Sequence, residues 1–267
     1  MMKYNFQIME FGICKLSVIP LRSNPSDKSE MINQLLFGDL LIVQENLKNW
    51  VKVRSVYDNY EGWIDLKQFS SIAENEFKRL NSLRQNTTLE FVHLLVNKKN
   101  NSLIPIVFGS SLPGLENEEF ALNDEFFAYD GDIFSNNQTI TNLQLIESAS
   151  VLINAPYLWG GRTPFGIDCS GFTQIVFKTC GIKLLRDAAQ QATQGELVNF
   201  LSEAKAGDLV FFDDDEENII HVGILFSENK IIHSSGKVRI DNIDHNGIYN
   251  TKLEKYTHKL RLIKKII

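Results

Sequence analysis

Short alternations of apolar and polar residues fill the first half of the chain. LLFGDLLIVQEN, NWVKVRS and EGWIDLKQF are rich in β-branched and aromatic residues, and SNPSD, ENLKN and YDNYEG separate them. Strands at that spacing predict a small β-barrel over residues 1–70. The polar stretch 71–90 reads as a linker with a short helix. FVHLLVN, SLIPIVFGSSLP, EEFALND and EFFAYDG predict a second small barrel within 71–140.

From about residue 141 the period lengthens. NLQLIESASVLIN carries Leu143, Ile146, Ser150 or Val151, and Ile153 at approximately helical spacing. APYLWGGRTPFGI reads as a loop. Phe172, Ile175, Val176 and Thr179 then form the stripe of a core-facing helix, with Gly181 as its stop. GDLVFF, IIHVGILF, NKIIHSS and KVRIDNI follow as strands, so 141–267 is expected to be an α+β domain.

Composition narrows the function classes. Hydrophobic residues make up 43% and charged residues 22%, which fits a globular chain with a core. The net charge of −6 and the lack of a basic run argue against nucleic acid or a membrane surface as partner. At the N-terminus, Asn5, Gln7 and Glu10 interrupt MMKYNFQIMEFGICK. The segment therefore predicts a first strand rather than a secretory signal, and a cytoplasmic location.

The three cysteines, Cys14, Cys169 and Cys180, are too few and too odd for a disulfide framework. On one helix Cys169 and Cys180 would stand about 16 Å apart, beyond bridging. Cys14 and Cys180 read as packing residues. Cys169 differs, because FGIDCSGF sets it between Asp168 and Ser170. Asp168 is a good helix N-cap, and Cys169 then opens the helix. Unpaired N–H groups and the helix dipole favour a thiolate there and offer an oxyanion site. Gly171 removes a side chain where a substrate would approach.

A thiol nucleophile needs a base. In IIHVGILF, His221, Gly223 and Leu225 share one strand face, with Gly223 leaving room for a helix end. If the following turn is odd and centred near Glu228, His221 lies opposite Ser235 and diagonal to His233. One histidine then orients the other, as in a catalytic triad. Three zinc ligands, Cys169, His221 and His233, are the alternative, without a CxxC or HxxxH spacing to support it.

The words YLWGGRTPFGIDCSGFTQIVFKTCGI, AGDLVFF, HVGILF and IIHSSGKVRID occur in order, and over residues 142–267 the chain resembles the NlpC family of cell-wall cysteine peptidases. The resemblance implies a papain-like catalytic domain behind one or two bacterial SH3-like β-barrels, with no cofactor or metal. It implies Cys169 as nucleophile, His221 as base and His233 as the polar third member. It further implies a γ-D-glutamyl-L-diamino acid peptidase acting on muropeptides with a free N-terminal L-Ala, such as L-Ala-γ-D-Glu-diaminopimelate, in cell-wall recycling.

Asp187 matches the Arg186-Asp187 motif of that branch, whose two residues are expected at the substrate, and is a candidate for the free amine, with Tyr60 from the first barrel as another. Glu61 and Asp58 are weaker candidates. Tyr157 and Trp159 would wall the site, and Asp168 and Ser170 would bind substrate backbone. Leu185 and Ala188 flank the motif where relatives often carry Pro and Ser, a departure that touches the amine pocket. Hydrolysis of intact peptidoglycan is the alternative among enzymes. An inert peptidase fold used for binding is the alternative outside them.

Overall fold

Alternation along Trp50–Ser55 sends Val51 and Val53 into a core with Ile19, Leu21, Leu35, Leu41, Ile64 and Cys14. This is the first strand pattern realised in the computed structural model, which describes residues 10–135 and 140–267. The strand expected at the chain start falls largely on residues 1–9, outside the described residues. A seven-stranded antiparallel sheet carries the core, in the order Met31–Leu36, Val18–Arg22, Glu61–Asp65, Trp50–Ser55, Leu40–Leu47, Phe11–Ile13 and Ser70–Ile72. Cys14 packs there, as a small buried thiol does.

Residues 71–135 carry a helix, Glu74–Ser82, a three-stranded sheet ordered Ser111–Pro113, Gln85–Thr88, Ile133–Ser135, and a four-stranded sheet. The sheet runs Ser102–Val107, Val92–Asn97, Glu125–Ala128, Glu119–Leu122. The chain folds as two compact units. The first extends to Asn86 and adds Leu94–Ile106 and Ser110–Asp130; the second joins Thr87–His93 and Val107–Gly109 to Gly131–Ile267. The two units are thus interleaved along the sequence.

In the second unit, Thr141 and Gln144 form a capping box that starts the helix Asn142–Val151. Leu145, Ala149 and the following Leu152 are its buried face. The expected stripe is corrected here, since Leu143, Val151 and Ile153 are exposed. The next helix, Cys169–Lys178, is buried along its whole length rather than on one stripe. It packs on the strands Ile219–Ser227 and Lys230–Ser235, on Asn142–Val151 and on the short helix Ala188–Gln191. Its polar residues find internal partners: Thr173 Oγ1 donates to Gln191 Oε1 (2.7 Å), and Gln174 Nε2 to the Leu184 carbonyl (3.2 Å). Gly181 takes a left-handed φ of +73° just beyond it, a conformation glycine adopts freely.

Those helices lean on a second antiparallel sheet, ordered Glu196–Val198, Lys255–Lys265, Leu209–Asp213, Ile219–Ser227, Lys230–Ser235, Lys237–Asp244, Gly247–Asn250. Gly247–Asn250 pairs back onto Lys255–Lys265, so six strands close into a barrel. Neither of these two strands is assigned from the sequence. Val210, Phe212, Leu225, Ile231, Ile243, Ile248 and Ile263 form one buried cluster on it. Among the described residues no helix is long and apolar enough to cross a membrane.

Candidate active site

The pairs Ile224–Ile232 and Leu225–Ile231 centre the turn after the His221 strand on Glu228. His221 and His233 therefore share the face that carries Leu225 and Ile231. Their rings meet: His221 Nε2 lies 2.8 Å from His233 Nδ1. Gly223 makes this possible. A Cβ there would come within 2.8 Å of Ile231 and 2.9 Å of the Cβ of His233. The space expected to admit a helix end admits His233 instead.

The relay has a further member. His233 Nε2 stands 3.1 Å from Asp241 Oδ2, and Arg239 donates to Asp241 Oδ1 at 2.7 Å. Both residues lie in the segment KVRID, but the sequence reading gives them no role. Counting outward from Gly236 in SSGK would have found them, because Ser235 faces Lys237 and His233 faces Arg239. Burial works to raise the Asp241 carboxyl, but His233 and Arg239 outweigh it and hold it below the usual carboxylate range.

A carboxylate only accepts, so Nε2 of His233 carries a proton and Nδ1 accepts. Nε2 of His221 then donates to it, and Nδ1 of His221 keeps the basic lone pair. The two facing nitrogens are committed to each other, which does not fit the zinc alternative. Among the described residues no group of three or more His, Cys, Asp or Glu is placed to hold a metal ion.

Cys169 opens its helix, and Asp168 caps it by accepting from the Gly171 N–H at 2.6 Å. The backbone N–H groups of Val222 and Ser170 point at the sulfur, which sets it beside the residue that follows His221. The expected thiolate is corrected: burial first, then the Asp168 carboxylate, push the thiol up to about 12. Burial, and then the neighbouring His233 and His258, hold His221 well below the histidine value of 6.5. Both shifts favour an uncharged thiol and an uncharged imidazole at rest.

A neutral resting pair bears directly on rate. A base must be neutral to take a proton, and a depressed pKa keeps it neutral further into acid. The acid limb of kcat/KM, which reports the free enzyme, should therefore have its midpoint below the ordinary 6.5. A rate profile from about pH 4 to pH 8 tests this. A limb centred at or above the ordinary value would contradict a neutral resting pair.

The residues expected to touch substrate divide. Arg186 is buried and grips Asp168 with both ends, Nη2 to Oδ2 at 2.6 Å and Nη1 to Oδ1 at 3.0 Å. Asp168 Oδ2 also accepts from the Gly160 N–H, and Ser170 Oγ sits between Asp168 and Arg186. These donors fill the carboxylate. Asp168, Ser170 and Arg186 thus hold the start of the helix. The reading of Gly171 is corrected. A side chain there would strike the Gly161 carbonyl and the Asp168 carboxylate rather than a substrate.

Tyr157 lies close enough to the sulfur that burial, then the charges of Cys169 and Asp168, raise its phenol to about 12. Trp159 is exposed in the same loop. Asp187 is half-buried at the N-cap of the helix Ala188–Gln191, where its backbone N–H meets Gln190 Oε1 at 3.2 Å. Gln191 ties that helix to the helix Cys169–Lys178, since its Nε2 donates to the Ser170 carbonyl at 2.9 Å. Tyr60 and Glu61 belong to the first unit. Tyr60 packs on its core, with its N–H on the buried Asp58, and Glu61 sits beside Gln44 and Lys52.

Known proteins share both halves of this architecture. The model of the NlpC/P60 family matches residues 154–257, and that of the bacterial dipeptidyl-peptidase Sh3 domain matches 21–69. A gamma-D-glutamyl-L-lysine dipeptidyl-peptidase of Bacillus subtilis is 31% identical over 216 residues, covering 75% of this chain and 71% of that one. Its namesake from Bacillus cereus is 25% identical over 233 residues, covering 78% and 68%. The crystal structure of an NlpC/P60 family protein from Bacillus cereus superposes with a TM-score of 0.81 at 21% identity. It covers 96% of this chain and 99% of that one, and establishes likeness of fold.

Proposed function

The chain belongs to the NlpC/P60 family, and from that premise we propose that it hydrolyses the γ-D-Glu–diamino acid bond of peptidoglycan-derived peptides whose N-terminal L-Ala is free. Peptides of that kind arise when a cell wall is recycled. The observation that carries the reading is the chain His221–His233–Asp241 beside a helix that opens on Cys169.

The thiol of Cys169 attacks the γ-carbonyl carbon while its proton passes to Nδ1 of His221. The relay through His233 to Asp241 stabilises the imidazolium that forms. Negative charge on the carbonyl oxygen develops near the positive end of the nucleophile helix. Collapse breaks the C–N bond, and the diamino acid leaves with the proton from His221. Water then hydrolyses the thioester, with His221 again as base. Tyr157 and Trp159 wall the acyl side, and Asp187 takes the ammonium of L-Ala.

A buried ammonium paired with Asp187 should matter strongly. Removing one partner of such a pair typically costs about 2–5 kcal/mol, roughly 30-fold or more in rate. Incubation with L-Ala-γ-D-Glu-L-Lys, its diaminopimelate counterpart and their N-acetylated forms, read by mass spectrometry, tests the proposal. The free peptides should be cut and the acetylated ones spared. Equal cleavage of both forms would replace this reading with hydrolysis of intact wall. Resistance of every peptide would remove the substrate assignment.

A further inference from the structure

Sequence gives His258 no role. It lies on Lys255–Lys265, the strand that closes the barrel, opposite Ile248. Closure brings its ring face to face with His221, the centroids 4.2 Å apart and the planes at 27°. Its edge meets His233 at 5.7 Å and Phe212 at 5.9 Å. Thr257 Oγ1 lies 2.9 Å from His258 Nδ1 and fixes the ring about its own axis. Beyond His258 opens a pocket of about 530 Å³, lined also by Asp213, Asp215, Tyr256 and Lys259. The ring thus stands between that pocket and the face of His221.

His221 needs such a neighbour. Among the described residues its ring makes one hydrogen bond, through Nε2 to His233. Between its Cβ–Cγ bond and that single hydrogen bond the ring can still rock out of plane. Gly223, on the same strand face, offers no side chain to stop it. Phe212 meets the ring only at a tilt of 45°, with centroids 5.8 Å apart. The stacked imidazole of His258 is the contact that fixes the plane.

We propose that His258 is a positioning residue, which by stacking on His221 fixes the plane of that ring and keeps pocket water off its face. The inference rests on the proposed role of His221 as base. It does not rest on the identity of the peptide.

The test compares His258→Ala, His258→Asn and His258→Phe in the full chain. Asparagine keeps a polar group near Thr257 but no ring; phenylalanine keeps a flat ring and no nitrogen. Two readouts are taken: kcat and KM on L-Ala-γ-D-Glu-L-Lys, and the rate at which iodoacetamide alkylates Cys169, located by peptide mapping. Misplacing a catalytic group by an ångström costs up to about 100-fold. Alanine and asparagine should therefore lower kcat about 10- to 100-fold with KM little changed, and phenylalanine should recover most of that loss. Alkylation should follow the same order. An alanine variant with wild-type kcat, or a phenylalanine variant as slow as alanine, overturns the proposal. If alanine prevents folding, the contrast of asparagine with phenylalanine decides. A wild-type protein that alkylates at Cys169 but ignores the tripeptide defeats the substrate reading alone, and the alkylation order then decides this one.

Discussion

Cys169→Ala should slow hydrolysis by at least about ten-thousand-fold, since losing the nucleophile of a covalent mechanism costs as much as losing the whole relay. No other thiol can substitute. Cys180 lies at the far end of the same helix, buried, and burial raises its thiol to about 11. Cys14 lies in the core of the other unit. The fold should survive the change. Asp168 caps the helix through its own side chain, and alanine removes one sulfur from a site that is 8% exposed. Steady-state turnover and thermal unfolding, measured together, separate the two effects. Residual activity within a few-fold of wild type would exclude Cys169 as nucleophile.

Arg186→Ala should be the most damaging single change to stability in this region. Its side chain is 1% exposed and holds both oxygens of Asp168, itself 9% exposed. Removing one partner of a buried pair leaves an uncompensated charge and costs about 3–5 kcal/mol. Activity should fall as well, because Asp168 also fixes the Gly160 and Gly171 N–H groups on either side of Cys169. Arg186→Lys keeps the charge but not the fork, so it should recover only part of the loss. Urea unfolding gives the measurement, and a variant within about 1 kcal/mol of wild type would mean that the buried pair is energetically idle.

What the sequence discloses here is what local geometry determines. Alternation and one turn length suffice to put His221 and His233 on one face, and an Asp before a small-residue run is enough to place the cap of the nucleophile helix. The relay's outer half needs only a second short turn, at Gly236, and lies within reach of the same counting. His258 does not. Its stack on His221 exists because a strand near the C-terminus closes the sheet, and nothing local to KYTHKLRL implies that closure. The Arg186–Asp168 pair is likewise a meeting of distant loops. The two misread glycines, Gly171 and Gly223, share one cause. A missing side chain announces that something comes close, but not whether it is a substrate, a carbonyl or a second histidine.

Closure of the six-stranded barrel also bears on how a peptide can be held. Many peptide-binding proteins lend an unpaired sheet edge and let the guest add a strand. Here each strand that carries a histidine of the cluster already has neighbours on both sides, and the sheet's outer margin is the three-residue strand Glu196–Val198. Main-chain ladders with a guest cannot form along the relay. A γ-linked peptide with a D-residue lacks the regular L-backbone spacing that such a ladder requires. A site that binds without strand addition would lose nothing by taking the guest proposed above, and an ordinary extended L-peptide gains no foothold there from its backbone.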